Sequence, residues 1–175
     1  EEYQKVYVKP VRHETIKISK EIKPNYMQKN ALESLDNLRN NNKDKALLIS
    51  ATGTGKTYLA AFDVKAVHPK RMLFVVHRRS IALKAMETFK IIIKDKSMGL
   101  FSGDTKEINC DYVFSTIQTI YKPENKQLFS KEEFDYIIID EVHKAGANSY
   151  QELVNYFKPQ FLLGMSACLL YTSPS

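Results

Sequence analysis

At 175 residues, with 43% apolar side chains, the chain is long enough for one domain with a sizeable core. Charged residues make up 26% and the net charge is +6, which leans toward a polyanionic partner, although the bases are scattered among acids as on an ordinary solvated surface. No apolar run reaches bilayer-spanning length, which excludes a helical membrane span, and Cys110 and Cys168 lack metal-ligand spacing and point to a reducing compartment rather than a disulfide scaffold.

No secretory signal opens the chain, and its first residue is Glu1 rather than Met, so a piece of something longer is expected. Residues 1–23 alternate in short runs such as Tyr7-Val8-Lys9 and Thr15-Ile16-Lys17-Ile18, predicting one or two edge strands or a linker leading into the domain. Pro24-Asn25 starts a helix with Met27, Ala31, Leu32, Leu35 and Leu38 on one face, ending in Asn40-Asn41-Asn42. Strands are then predicted over 46–50, 72–76, 98–101, 112–115, 136–140 and 161–165, with amphipathic helices over 57–67, 80–93 and 149–157. Leu73-Phe74-Val75-Val76 and Ile137-Ile138-Ile139 are apolar on both faces, as a mostly parallel sheet covered by helices on each side requires. The alternation implies a three-layer α/β domain over residues 24–167, with its ligand site beyond the carboxyl ends of the strands.

Residues 45–57 carry the strongest local chemistry: an apolar strand runs into Ser50-Ala51-Thr52-Gly53-Thr54-Gly55-Lys56-Thr57. Backbone N–H groups of such a glycine-rich turn, with the following helix N-terminus, cradle a polyphosphate. Lys56 can reach the outer phosphates and the Thr57 hydroxyl can bind Mg²⁺. Ser50 stands where the strict pattern has glycine, and its small side chain leaves the loop intact. A second apolar strand ends in Asp140-Glu141. Asp140 is expected to hold Mg²⁺ through water, and Glu141, facing the other way, to polarise the attacking water as a general base.

Taken together, the 50–57 loop and Asp140-Glu141-Val142-His143 resemble motifs I and II of superfamily 2 DEAD/DEAH-box helicases, in the branch related to type III restriction enzymes. The resemblance implies a RecA-like P-loop ATPase domain using ATP and Mg²⁺, with nucleotide contacts from Gln28, Thr52, Gly53, Thr54, Gly55, Lys56, Thr57 and His143. Gln28 resembles the upstream glutamine that reads adenine, since an amide both donates and accepts. Phe74-Val75-Val76-His77-Arg78, Gly99-Leu100-Phe101-Ser102-Gly103 and Thr116-Ile117-Gln118-Thr119 are similar to the family's nucleic-acid contact segments, which makes His77, Arg78, Ser102, Gly103 and Thr116 candidates for a DNA or RNA backbone. Gly164-Met165-Ser166-Ala167 resembles motif III, whose hydroxyl couples the two sites, so Ser166 and Ala167 are coupling candidates.

The family pattern breaks after Ala167. Residues 168–175 shift composition abruptly and also read as a translation of a common transposon-based sequencing adapter, so an assembly artefact is expected there. In this family ATP sits between two RecA-like domains, the second supplying an arginine finger, and these residues carry only the first. A restriction or nuclease partner domain is a further possibility the resemblance raises. The expected function is the first motor domain of a DNA helicase or translocase. A nucleotide- or nucleic-acid-binding module without turnover and a P-loop ATPase that moves protein are the alternatives.

Overall fold

The computed structural model describes residues 3–8, 21–51, 55–141 and 147–167. Its first half runs β1 (Gln4–Val8), α1 (Tyr26–Asn40), β2 (Lys45–Ser50), α2 (Lys56–Val67), β3 (Met72–Val76) and α3 (Arg79–Ile92). The second half runs β4 (Met98–Ser102), β5 (Thr105–Lys106), β6 (Tyr112–Thr116), α4 (Ile117–Ile120), α5 (Pro123–Lys126), β7 (Tyr136–Asp140), α6 (Ala147–Tyr156) and β8 (Phe161–Ala167). All eight strands join one sheet in the order β1-β2-β8-β7-β3-β6-β4-β5. Every pairing is parallel except the short β4–β5 hairpin.

Strand alternation divides the core into two layers. Phe74, Phe114 and Ile138 point to the side covered by α1, α2 and α3, where Phe74, Phe89 and Phe114 pack with centroids 5.2–5.5 Å apart. Leu73, Val75, Ile137 and Ile139 point to the other side, against Ile117 and Ile120 of α4 and Tyr150, Leu153 and Phe157 at α6. Burying each such side chain contributes about 1.5–3 kcal/mol, which is why the strands are apolar on both faces.

The alternation around Tyr7 forms β1, an edge strand in register with β2 from Gln4↔Ala46 to Val8↔Ser50, so it belongs to the sheet of the following domain. The alternation at 15–18 and the tail at 168–175 lie outside the described residues. Asn25 is the N-cap of α1, closed by a reciprocal capping box with Gln28. Two to four residues cannot display a period, so β5, α4 and α5 have no counterpart among the predicted elements. Among the described residues no helix is long and apolar enough to cross a membrane.

Because the strands are parallel, their carboxyl ends collect on one edge. Register places Ser50 beside Ala167, Asp140 beside Met165, and Val76 beside Thr116. The loop after β2 and the acids at the end of β7 therefore open on the same side, separated by β8 alone.

Candidate active site

The chain leaves β2 at Ser50 and re-enters regular structure at Gly55, whose φ of 73° lies in the left-handed region that glycine tolerates. A Cβ there would also meet Gln28 Nε2 at 3.2 Å. Among the described residues no side-chain hydrogen bond caps the start of α2, whose first-turn N–H groups lack helical partners. Thr52, Gly53 and Thr54 lie outside the described residues, as does His143.

Lys56, the first helical residue, sends its ammonium across to the end of β7. Nζ lies 2.6 Å from Glu141 Oε1 and 2.9 Å from Asp140 Oδ1. Burial alone would depress the Lys56 pKa, but the Asp140 and Glu141 carboxylates outweigh burial and leave it above the ordinary lysine value. Both acids thus reach one cation, whereas strict alternation places Glu141 on the opposite side. The reason is local: Glu141 follows the last strand residue and adopts φ of 55°, which turns its side chain back toward the loop. A non-glycine residue in that region carries a strain of roughly 1 kcal/mol or more, held here by the surrounding contacts.

Asp140 is 4% exposed, and its buried Oδ1 makes the ammonium contact without a directed hydrogen bond. Thr57 lies half-buried at the same cleft of about 420 Å³, together with Lys56, His77, Arg78, Asp140 and Glu141. Among the described residues no cluster of three or more His, Cys, Asp or Glu side chains could cage a metal. One carboxylate and one hydroxyl fit Mg²⁺, which keeps several waters and takes its remaining oxygens from substrate phosphates.

The other predicted residues divide. His77 and Arg78 line the same cleft as Lys56, the His77 carbonyl accepting from Gln118 Nε2 at 3.1 Å. Ser102 and Thr116 are 5% and 4% exposed and bond to each other at 3.3 Å. Thr116 also meets Thr119 Oγ1 at 2.9 Å, and the Gly103 N–H donates to that same hydroxyl at 3.2 Å. These groups fasten the β4 and β6 ends together rather than projecting outward. Ser166 and Ala167 close β8, half-buried, with Ala167 opposite Ser50. Gln28 is buried, its Oε1 accepting the Asn25 N–H at 3.0 Å while Nε2 lies against Gly55.

Two residues carry no motif signal yet belong to the neighbourhood. Arg79 Nη1 donates to the Ser102 carbonyl at 3.0 Å and to Thr105 Oγ1 at 3.1 Å, pinning α3 to the β4–β5 turn. Tyr150, on α6, is 5% exposed, and its hydroxyl has no hydrogen-bond partner among the described residues. Burial first, then the charges of Asp140 and Glu141, push its ionisation up to about 12. A tyrosine at the start of a predicted amphipathic helix reads as core, and only its buried hydroxyl without a described partner marks it out.

Comparison with known proteins adds a family. The profile described as "Type III restriction enzyme, res subunit" matches residues 21–170. A type I restriction enzyme EcoAI endonuclease subunit of Escherichia coli is 30% identical over 156 residues, covering 82% of this chain and 19% of the relative. The putative ATP-dependent helicase IRC3 of Saccharomyces cerevisiae is 31% identical over 121 residues, covering 62% and 17%. These relatives are bacterial and eukaryotic, so the likeness does not mark a bacterial source. The crystal structure of the UvsW helicase from bacteriophage T4 shares the fold at a TM-score of 0.66 and 19% identity, covering 83% of this chain and 52% of that one.

Proposed function

Because the chain belongs to the type III restriction enzyme res-subunit family, we propose that it is the first ATP-binding motor domain of a nucleic-acid-dependent ATPase, a DNA helicase or translocase. The observation that carries this reading is the Lys56 ammonium held between Asp140 and Glu141 at the carboxyl edge of a parallel sheet, beside left-handed Gly55. Lys56 supplies the positive charge that both acids share. On nucleotide entry the Lys56 ammonium turns to the outer phosphates, steered by charge, with the N-terminus of α2 beside them. Asp140, through water, and the Thr57 hydroxyl would hold Mg²⁺, which when bound would supply charge neutralisation at the phosphates. Glu141, released from Lys56, accepts a proton from the attacking water.

Gln28 lies next to Gly55 and supports an adenine-reading role once its oxygen leaves the capping box. His143 and the 52–54 backbone complete the nucleotide side by family pattern. Arg78, with His77, contacts a nucleic-acid backbone at the cleft rim. Ser102, Gly103 and Thr116 shape that rim from inside, and Ser166-Ala167 couples it to the loop. A second RecA-like domain supplies the arginine finger, a restriction or nuclease domain can join the assembly, and the protein works in the cytoplasm.

The test is ATP turnover by the full-length gene product with and without DNA. DNA is expected to raise turnover, and Lys56→Ala to abolish the rise. A Lys56→Ala protein that keeps full DNA-stimulated turnover would refute the assignment. One observation favours a narrower reading for these 175 residues taken alone: they span 17–19% of the length of the curated relatives named above. On that reading the isolated chain binds nucleotide and releases phosphate no faster with DNA than without.

A further inference from the structure

Among the described residues, non-glycine backbone enters the left-handed region at Asn42, with φ of 58°, at His68, with 53°, and at Glu141, with 55°. Asn42 and His68 follow α1 and α2, where a left-handed residue commonly closes a helix. Glu141 has no helix to close. It follows β7 directly, where extended backbone would carry no strain. Strand pairing does not impose the turn either. The ladder from β7 to β3 ends at Ile139 and the ladder to β8 ends at Asp140, so among the described residues no strand partner holds Glu141. What the turn gains is an ion pair. It brings the largely buried Glu141 carboxylate to 2.6 Å from Lys56 Nζ, an ammonium that Asp140 also meets at 2.9 Å. A strained backbone is thus matched to one charge, and that charge belongs to the residue assigned to the outer phosphates.

We propose that Glu141 is a phosphate-operated latch: its backbone is left-handed while its carboxylate pairs with Lys56, and returns to extended, negative φ when phosphates take the ammonium. The proposal rests on the nucleotide-site reading above and names how that site is regulated. Phosphate oxygens compete with Glu141 for one ammonium. Nucleotide therefore discriminates between the two arrangements, as any ligand that shifts an equilibrium must. Once the ion pair is gone, nothing offsets the strain of the turn, and extended backbone restores strand alternation. Glu141 then points to the opposite side from Asp140, as the pattern of β7 requires. A carboxylate clamped on Lys56 is a poor acceptor for a proton from water. The latch thus withholds the general base until the outer phosphates are in place.

The experiment reads the sign of φ at Glu141 by nuclear magnetic resonance of this chain. A residue at positive φ gives a strong intraresidue Overhauser signal between its amide and α protons, and an extended residue gives a weak one. The samples are the parent, the parent saturated with the non-hydrolysable analogue adenylyl imidodiphosphate and Mg²⁺, and Lys56→Met. The expected result is a strong signal in the parent that falls, in the other two, to the level of the extended residues of β7. A strong signal in all samples overturns the proposal, because the turn is then a fixed feature of the fold. So does a signal that weakens with nucleotide but stays strong in Lys56→Met, because Lys56 is then not what holds the turn. The nucleotide sample needs no substitution, so it decides even where Lys56→Met does not fold. If nucleotide shifts no resonance of Gly55, Lys56 or Thr57, the nucleotide-site reading fails and this proposal falls with it. That outcome is plainly distinct from a nucleotide-bound chain whose Glu141 stays left-handed.

Discussion

Lys56 is the residue on which the site balances, since two acids share its one charge. Lys56→Met keeps the length of the side chain but leaves Asp140 and Glu141 facing each other in a half-buried cleft. The expected loss is about 1–3 kcal/mol, below that of a fully buried pair because part of the lysine side chain meets water. Its pH dependence has a definite sign. The folded-state pKa of Lys56 is raised, so the stability its charge contributes is complete below the unfolded lysine value of about 10.4 and is lost as pH rises through the higher folded value. Urea denaturation from about pH 8 to about pH 11 should therefore show a constant gap between parent and variant up to about pH 10, narrowing above it. A gap that widens at the alkaline end contradicts the pairing. At this scale Lys56, Thr57, Asp140 and Glu141 were legible because each lies within a few residues of a strand or helix end that the apolar pattern marks. The orientation of Glu141 was not, because one left-handed residue reverses strand alternation and no residue type announces it. Ser102 and Thr116 enter as nucleic-acid candidates by resemblance alone, and their burial depends on how β4, β6 and α4 pack.

Elements are tied together by polar groups that the apolar pattern hides. Asp63 interrupts the apolar run of α2 and reads as a surface acid, yet it is 1% exposed. Arg39, in the last turn of α1, grips it with Nη1 and Nη2 at 2.9 and 2.6 Å, and Tyr136 at the start of β7 donates to it. One carboxylate thus fastens two helices to a central strand. Asp63→Asn keeps the shape but leaves the Arg39 charge half-buried without its counter-ion, and is expected to cost about 3 kcal/mol in denaturant unfolding. Tyr136→Phe, which removes one hydrogen bond, should cost nearer to about 1 kcal/mol. Equal losses for the two would mean that the ion pair is not what holds α1. Gly99 gives a second test on β4. A Cβ there would stand 2.4 Å from the Glu107 carbonyl oxygen, a backbone atom, while at Gly164 it would meet the movable Leu47 Cδ1 at 3.2 Å. Gly99→Ala should therefore destabilise the chain by about 1–3 kcal/mol and Gly164→Ala by clearly less. The long elements were legible from periodicity alone, and what escaped it were close backbone approaches and cross-element polar ties, which no single segment encodes.

At the scale of the whole molecule, one cleft brings Lys56, Thr57, Asp140 and Glu141 together with His77 and the exposed Arg78. That proximity makes the partner of Arg78 a question of electrostatics that salt can answer. A guanidinium paired with a nucleic-acid phosphate releases a condensed counterion, so each such contact contributes about 0.7 to the slope of log affinity against log salt for single strands and about 0.9 for duplex. A guanidinium paired with the bound nucleotide leaves that slope untouched and lowers nucleotide affinity instead. The net charge of +6 supplies a diffuse attraction to any polyanion, which one substitution changes little. Arg78→Ala is accordingly expected to weaken DNA binding to a similar degree for all sequences and to flatten its salt slope by about one contact, with Mg²⁺-dependent nucleotide affinity within twofold of the parent. Fluorescence anisotropy of a labelled single strand across a salt series, beside a nucleotide titration at one salt, reads both quantities. An unchanged slope with weakened nucleotide binding would move Arg78 to the phosphate side of the cleft and leave Arg79, tied down by Ser102 and Thr105, with no exposed partner to guide.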